Sequence, residues 1–291
     1  VYEQRIVVEC NEDGFTRENL VAICNVGKSS KSGDQGYIGE KGIGFKSVFM
    51  VAHTAYIESG DFSFYFRHRS GDTGFGMISP VWQDPGDEVG DRLTRITLSL
   101  HQDMDDEALA RQRGSIRQQF RDLQETILLF MKNLEKIEIT LYEDDDVTIE
   151  SAFTYAIERV AGGRVIVRRT STTFQDGESD TQEFHYITIK HTATGLAKND
   201  NRTYSESEEA SGAYSRSDLV LAFPVTEESV PVITDQWVFA FLPVRQMGFK
   251  VRPCRANRAN LVATANLRTP VSDTSGLCDP GEQAGYRYYF S

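Results

Sequence analysis

The sequence predicts an α/β (α+β) two-layer sandwich over residues 1 to about 140, followed by a β-rich extension. Three observations point there. Ile96, Leu98 and Leu100 alternate with Arg95, Thr97 and Ser99, the period of a strand with one buried face. From Asp106 to Asn133, Leu109, Ile116, Phe120, Leu123, Ile127 and Phe130, continued by Leu134, recur every three, four or seven residues, which predicts one long amphipathic helix. Beyond it, apolar β-rich segments separated by turn residues dominate.

In chain order, Ile6 to Val8 reads as a strand, and the cluster Asn11-Glu12-Asp13-Gly14 as a turn. Thr16 can cap a short helix whose Leu20, Ile23 and Cys24 share a face. Residues 27 to 44 are mostly Gly, Ser and Lys and form a loop, and Phe45 to Val51 reads as a second helix. Ala55 to Glu58 and Phe62 to His68 are strands around a turn at Ser59-Gly60-Asp61, and 70 to 91 is another loop. After the long helix come strands at 137 to 142, 153 to 159, 164 to 170, 183 to 190, 219 to 223 and 238 to 242, with Asp144-Asp145-Asp146 as a solvated turn and 198 to 217 as a polar linker. The tail is rich in Arg, Gly and Pro and has little periodicity.

Charge excludes some functions. With 31 Lys plus Arg against 43 Asp plus Glu, the net charge of -12 repels a phosphate backbone, so no nucleic-acid partner is expected. No apolar run reaches the roughly 18 residues that span a bilayer, so no membrane partner is expected and the localisation reads as intracellular, cytoplasmic or nuclear. Cys10, Cys24, Cys254 and Cys278 form no C-x-x-C pair and stand at no metal spacing, so buried free thiols are expected and no metal site is assigned.

The chemistry concentrates in Gly39-Glu40-Lys41-Gly42-Ile43-Gly44-Phe45-Lys46-Ser47, a G-x-x-G-x-G loop running into a helix. Glycines let backbone N–H groups approach phosphate, and the positive end of a helix faces the anion. A Rossmann site would place its first glycine directly after a strand, and here a lysine-serine loop precedes it. A Walker A loop fails as well, because Ala22 stands where Gly27-Lys28-Ser29 needs its first glycine, and Phe45 separates Gly44 from Lys46.

The order of parts resembles the GHKL (Bergerat-fold) ATPase superfamily, which includes gyrase, heat-shock chaperones, histidine kinases and MutL. Glu12-Asp13-Gly14-Phe15 is similar to its first glycine box, Gly39 to Ser47 to its second, and Thr94-Arg95-Ile96-Thr97-Leu98 to its closing threonine strand. The wording of 25 to 31 and 36 to 47 is closer still to the sacsin and NO VEIN-like branch, in its fungal form. The resemblance is strong over residues 1 to 100, extends to about 245, and degrades after Phe249.

The resemblance implies a Bergerat-type mixed sheet with helices on one face, and ATP as the ligand. Glu12, or Asp13 in its place, would accept from the adenine amino group, a pairing that disfavours guanine. Gly14 would shape that turn, and Thr94 would bond near the carboxylate. Gly39, Gly42 and Gly44 would give phosphate its backbone donors, Lys41 and Lys46 would add charge, and Lys28 and Ser29 would edge a mobile lid over 30 to 40.

The family's first helix, with a water-activating Glu and a Mg²⁺-holding Asn, would stand upstream of Val1. The chain as written is therefore expected to lack both the catalytic base and the metal ligand, and to bind adenine nucleotide weakly at best, without turnover. The domains implied are a core at 1 to 140, a β-rich extension at 141 to 217, and the start of a following domain at 218 to 291. Besides nucleotide, a protein client or partner domain is the partner expected. Two other function classes stand beside this one: a degenerate, nucleotide-free scaffold or interaction domain, and another phosphate-binding enzyme such as a kinase, for which no H-R-D and D-F-G pair is found.

Overall fold

The computed structural model describes residues 1–24, 44–69, 71–72, 74–84, 94–131, 133–175, 177–198, 206–212, 215–233, 235–240, 242–254 and 287–290. The first strand, β1 (Arg5–Cys10), turns at Gly14 into α1 (Arg17–Cys24). Thr16 caps α1 reciprocally with Asn19: its hydroxyl accepts from the Asn19 N–H at 3.3 Å, while Asn19 Oδ1 accepts from the Thr16 N–H at 2.9 Å. Two otherwise orphaned donors are satisfied at once. As the pattern predicts, Leu20, Ile23 and Cys24 of α1 pack against the first core.

A short 3-10 helix, Phe45–Met50, leads into β2 (Ala52–Ser59) and β3 (Phe62–Arg67), joined at Gly60 in the left-handed region with φ 55°. β4 (Val81–Trp82) and β5 (Thr94–Leu100) complete a sheet in the order β1-β5-β2-β3-β4. Every pairing in it is antiparallel, where a mixed sheet was expected. The reason lies in the order: β5 stands between β1 and β2 and opposes both, so their parallel relation never becomes a direct pairing. Ile6, Ala55, Ile57, Phe64, Phe66, Leu98 and Leu100 line the core face, and α1, Phe49 and Ile116 cover it. Helices on one face of a sheet is the sandwich that the sequence predicts.

The long helix is shorter than its periodicity suggests. α2 runs Asp106–Arg121, capped by Asp105 Oδ1 accepting the Ala108 N–H at 2.8 Å; after a break at 122–124 the chain resumes as a 3-10 helix, Glu125–Leu129. Carbonyls freed at the break find side-chain donors from the second sheet. Tyr155 Oη donates to the Leu123 carbonyl at 2.8 Å and Arg169 Nη2 to the Arg121 carbonyl at 3.1 Å. Phe120, Leu123 and Ile127 still pack together against the second core, and Leu128 is fully buried in it.

That second core belongs to a meander of β6 (Lys136–Tyr142), β7 (Ile149–Val160), β8 (Arg164–Thr173), β9 (Glu178–Ala193) and β10 (Ser217–Val225), in the order β10-β9-β8-β7-β6 and all antiparallel. The sheet thus begins at 136 and ends at 225, a wider span than 141 to 217. A short helix, α3 (Glu206–Ser211), lies within the stretch read as a linker. The turn at 144–146 is built by Asp145, whose carboxylate accepts the Val147 and Thr148 N–H groups at 2.9 and 2.7 Å. A third sheet joins β11 (Asp235–Ala240), β12 (Leu242–Cys254) and β13 (Arg287–Phe290), and Phe239 lies 4.3 Å, centroid to centroid, from Phe130. No helix among the described residues is long and apolar enough to cross a membrane.

The β7–β8 turn supplies a first prediction. Gly163 has φ 77°, and a Cβ there would lie 2.6 Å from the Thr188 carbonyl oxygen. Gly163→Ala should lower stability by about 1–3 kcal/mol, read by chemical denaturation. Gly177→Ala, at φ 66° with open space around it, should cost less, and equal losses would contradict the steric part of this account.

Candidate functional site

Strand register brings the first acidic turn and the threonine strand together. Thr94, at the start of β5, pairs with Cys10 of β1 on one side and Ser59 of β2 on the other. The Thr94 side chain faces inward and is 3% exposed, beside Ser59 at 1%. Their hydroxyl oxygens lie 2.6 Å apart. Ser59 Oγ also accepts the Phe15 N–H at 2.8 Å, which ties the turn after β1 to the end of β2. Gly14 sits over this contact with φ 85°, and a Cβ on it would stand 3.3 Å from Ser59 Oγ. Both backbone conformation and space favour glycine there.

Gly14 and Thr94, singled out far apart in the sequence, are thus joined through one side chain that sequence reasoning missed. Ser59 lies in the Ser-Gly-Asp cluster after an apolar strand, and that context marks a turn and nothing more. Glu12 and Asp13 are both exposed on the same turn, with their carboxylates open to solvent. Cys10 is exposed and Cys24 half-buried, where buried thiols were expected; Cys10 ends β1, which among the described residues is an edge strand of its sheet. Partial desolvation, and then the nearby charge of Glu12, push the Cys10 thiol above its ordinary pKa.

The second box is described only from Gly44 onward. Gly44 has right-handed backbone angles, φ -57° and ψ -48°, and its carbonyl accepts the Ser47 hydroxyl at 2.7 Å. Lys46 reaches back from the 3-10 helix to the end of α1, where its ammonium donates to the Ile23 carbonyl at 2.7 Å and also to the Met77 carbonyl. It lies 4.5 Å from the centre of the Phe66 ring, within cation–π range. Burial holds this ammonium below the ordinary lysine pKa. Two of its three N–H donors are therefore spent on backbone. Lys28, Ser29, Gly39, Lys41 and Gly42, and the lid expected over 30 to 40, lie outside the described residues.

Chemically, this end of the first sheet offers exposed carboxylate acceptors on the turn after β1 and a buried hydroxyl pair tied to that turn through the Phe15 N–H, and the 3-10 helix adds a half-buried cation. Exposed carboxylates accept hydrogen bonds, and so suit a ligand edge that carries N–H donors. No family model matches the sequence. Protein NO VEIN of Arabidopsis thaliana is 34% identical over 154 residues, an alignment covering 50% of this chain and 6% of the relative. The chain is thus similar, over half of its own length, to a small part of that much longer plant protein.

Proposed function

We propose that the turn at Glu12–Phe15, Ser59 and Thr94 form the base-binding side of an adenine-nucleotide site, in an ATP-binding module of the histidine kinase and heat-shock chaperone-like type. The observation that carries this reading is the Gly14–Ser59–Thr94 contact. It joins the acidic turn to the threonine strand at one end of a sheet whose other face-layer is helical. In this reading the Glu12 carboxylate, or that of Asp13, accepts from the adenine amino group. Gly39, Gly42 and Gly44 give phosphate their N–H groups, with charge from Lys41 and from the third donor of Lys46, while Lys28 and Ser29 edge the site. The proposal is one of binding.

A nucleotide-free scaffold is the second reading, and one observation favours it: two of the three Lys46 donors are taken by the Ile23 and Met77 carbonyls. Calorimetric titration with ATP and with GTP separates the two. Saturable binding of ATP, tighter than GTP, is expected. Thr94→Val, which keeps shape and removes the hydroxyl, should weaken it about 3- to 10-fold, the worth of one hydrogen bond. No heat with either nucleotide, together with no amide shift at Gly14, Phe15 or Thr94, would leave the scaffold.

A further inference from the structure

Between α2 and the β6–β7 turn, the second sheet holds an open cleft of about 590 Å³. Its floor follows from strand alternation: Ser151 and Phe153 lie on the same face of β7, and Thr173 of β8 stands opposite Ser151. The register shift beside Tyr142 leaves Glu150 with no residue opposite it, so Glu150 and Ser151, though successive, both line the cleft. Both carboxylate oxygens of Glu150 are occupied by Arg117 and Arg121. Ser151 is different. It is 6% exposed, and its hydroxyl oxygen has no hydrogen-bond partner among the described residues. A hydroxyl left in that state is destabilising. It belongs, however, to a residue on the wall of an open cleft, and a single side-chain torsion sets where it points.

The rim decides the charge of an occupant. Glu143, Asp144, Asp145 and Glu150 line the cleft against only Arg117 and Arg121, an excess of negative charge that favours a cation. Asp145 turns both oxygens back onto its own turn, where the Val147 and Thr148 N–H groups and the Thr148 hydroxyl donate to them. Glu143 has one oxygen on the Gln175 amide at 3.0 Å. The exposed Asp144 carboxylate and the second oxygen of Glu143 are left open among the described residues. A bare metal ion is poorly served, because among the described residues no three His, Cys, Asp or Glu side chains stand where they could share one. Acceptors at the turn and on the floor suit a planar fork of several N–H donors better than a point charge. We infer that this cleft binds the guanidinium of an arginine side chain on a partner peptide, with Asp144 and Glu143 meeting its charge and Ser151 Oγ accepting from it at the floor. The site belongs to the second sheet and is independent of the nucleotide reading.

The test titrates the 291-residue chain with acetyl-Gly-Arg-Gly-amide, and with versions carrying Lys or Gln in place of Arg, followed by amide NMR. The arginine peptide should shift the amides of Glu143, Asp144, Ser151 and Thr173 saturably and bind about 3-fold or more tightly than the lysine peptide, while the glutamine peptide leaves them in place. Asp144→Asn should weaken the arginine peptide about 2- to 5-fold, and Ser151→Ala about 3- to 10-fold. Glu107→Gln removes an exposed acid from the first turn of α2, outside the cleft, and should change nothing. Ser151→Ala has a second readout without peptide: a hydroxyl that meets no partner in the fold can be removed with the Tm unchanged or raised. A lowered Tm would place the hydroxyl in a bond within the fold and overturn its role as acceptor. Equal binding of the glutamine peptide, or equal weakening by Glu107→Gln, would reduce the effect to unspecific attraction and overturn the site. CaCl2 or inorganic phosphate moving these amides while the arginine peptide does not would assign the cleft to a metal or an anion, and would overturn it as well.

Discussion

Replacing Phe64 with alanine should lower the unfolding free energy by about 3–5 kcal/mol, the range for emptying a large aromatic from a packed core. Phe64 is fully buried on β3. Its ring meets Phe66 edge-on at 5.6 Å, Trp82 at 5.6 Å and Phe15 at 6.4 Å, centroid to centroid. The last contact reaches the turn that carries Glu12 and Gly14, so the loss should be felt there too, as faster amide exchange at Phe15. The control is Tyr65→Ala, one residue on and on the opposite face. Tyr65 pairs with Tyr56 at 5.3 Å, and its loss should cost about 1 kcal/mol or less, the worth of a cross-strand pair. Urea denaturation of the two variants decides. Equal costs would mean that the core face of the first sheet is misassigned.

The second large effect is expected at Glu150, which lies where α2 meets the second sheet. Its two carboxylate oxygens are taken by Arg117 and Arg121 of α2, with side-chain exposures of 26% for Glu150, 17% for Arg117 and 33% for Arg121. Burial alone would raise its pKa. The hydrogen bond and charge of Arg117, followed by those of Arg121, outweigh burial and hold the carboxyl below its ordinary 4.5. A depressed folded-state pKa means stability that is present above the unfolded value and lost as pH falls through the folded one. Glu150→Ala should therefore cost about 2–3 kcal/mol at pH 7, because two partly buried guanidiniums lose their common partner. At pH 3 the gap between variant and wild type should be smaller. A gap of the same size at both pH values would show that the residue acts through packing and not through charge.

Much of this architecture is readable from the chain. The alternation Ile96, Leu98, Leu100 marks β5 because one face of that strand is covered and the other is not. Leu20, Ile23 and Cys24 mark the buried face of α1 for the matching reason at helical spacing. The break after Arg121 is not readable, because Leu123 and Ile127 keep the helical spacing across it. What ends α2 is a set of donors, Tyr155 and Arg169, contributed by strands farther along the chain. The same limit applies to Ser59, whose partners Phe15 and Thr94 lie 44 and 35 positions away. It applies again to Lys46, whose place in a glycine loop suggests a free charge and whose partners are backbone carbonyls. Periodicity registers which face is buried; it does not register which distant polar atom meets which.

The placement of β5 between β1 and β2 sets an order of assembly. In the second sheet each strand pairs with the one just before it, so the meander can close hairpin by hairpin. The first sheet cannot. Among the described residues β1 has no strand partner until residues 94–100 arrive, and those residues also pair with β2 along their other edge. Closing that long loop is paid in chain entropy before any contact repays it, which slows the step. The β2–β3 hairpin and the meander are therefore the parts able to form early, and β1 docks late. The turn at Glu12–Phe15 hangs from the end of β1, so the contact of Gly14 and Phe15 with Ser59 is among the last to be made as the protein folds.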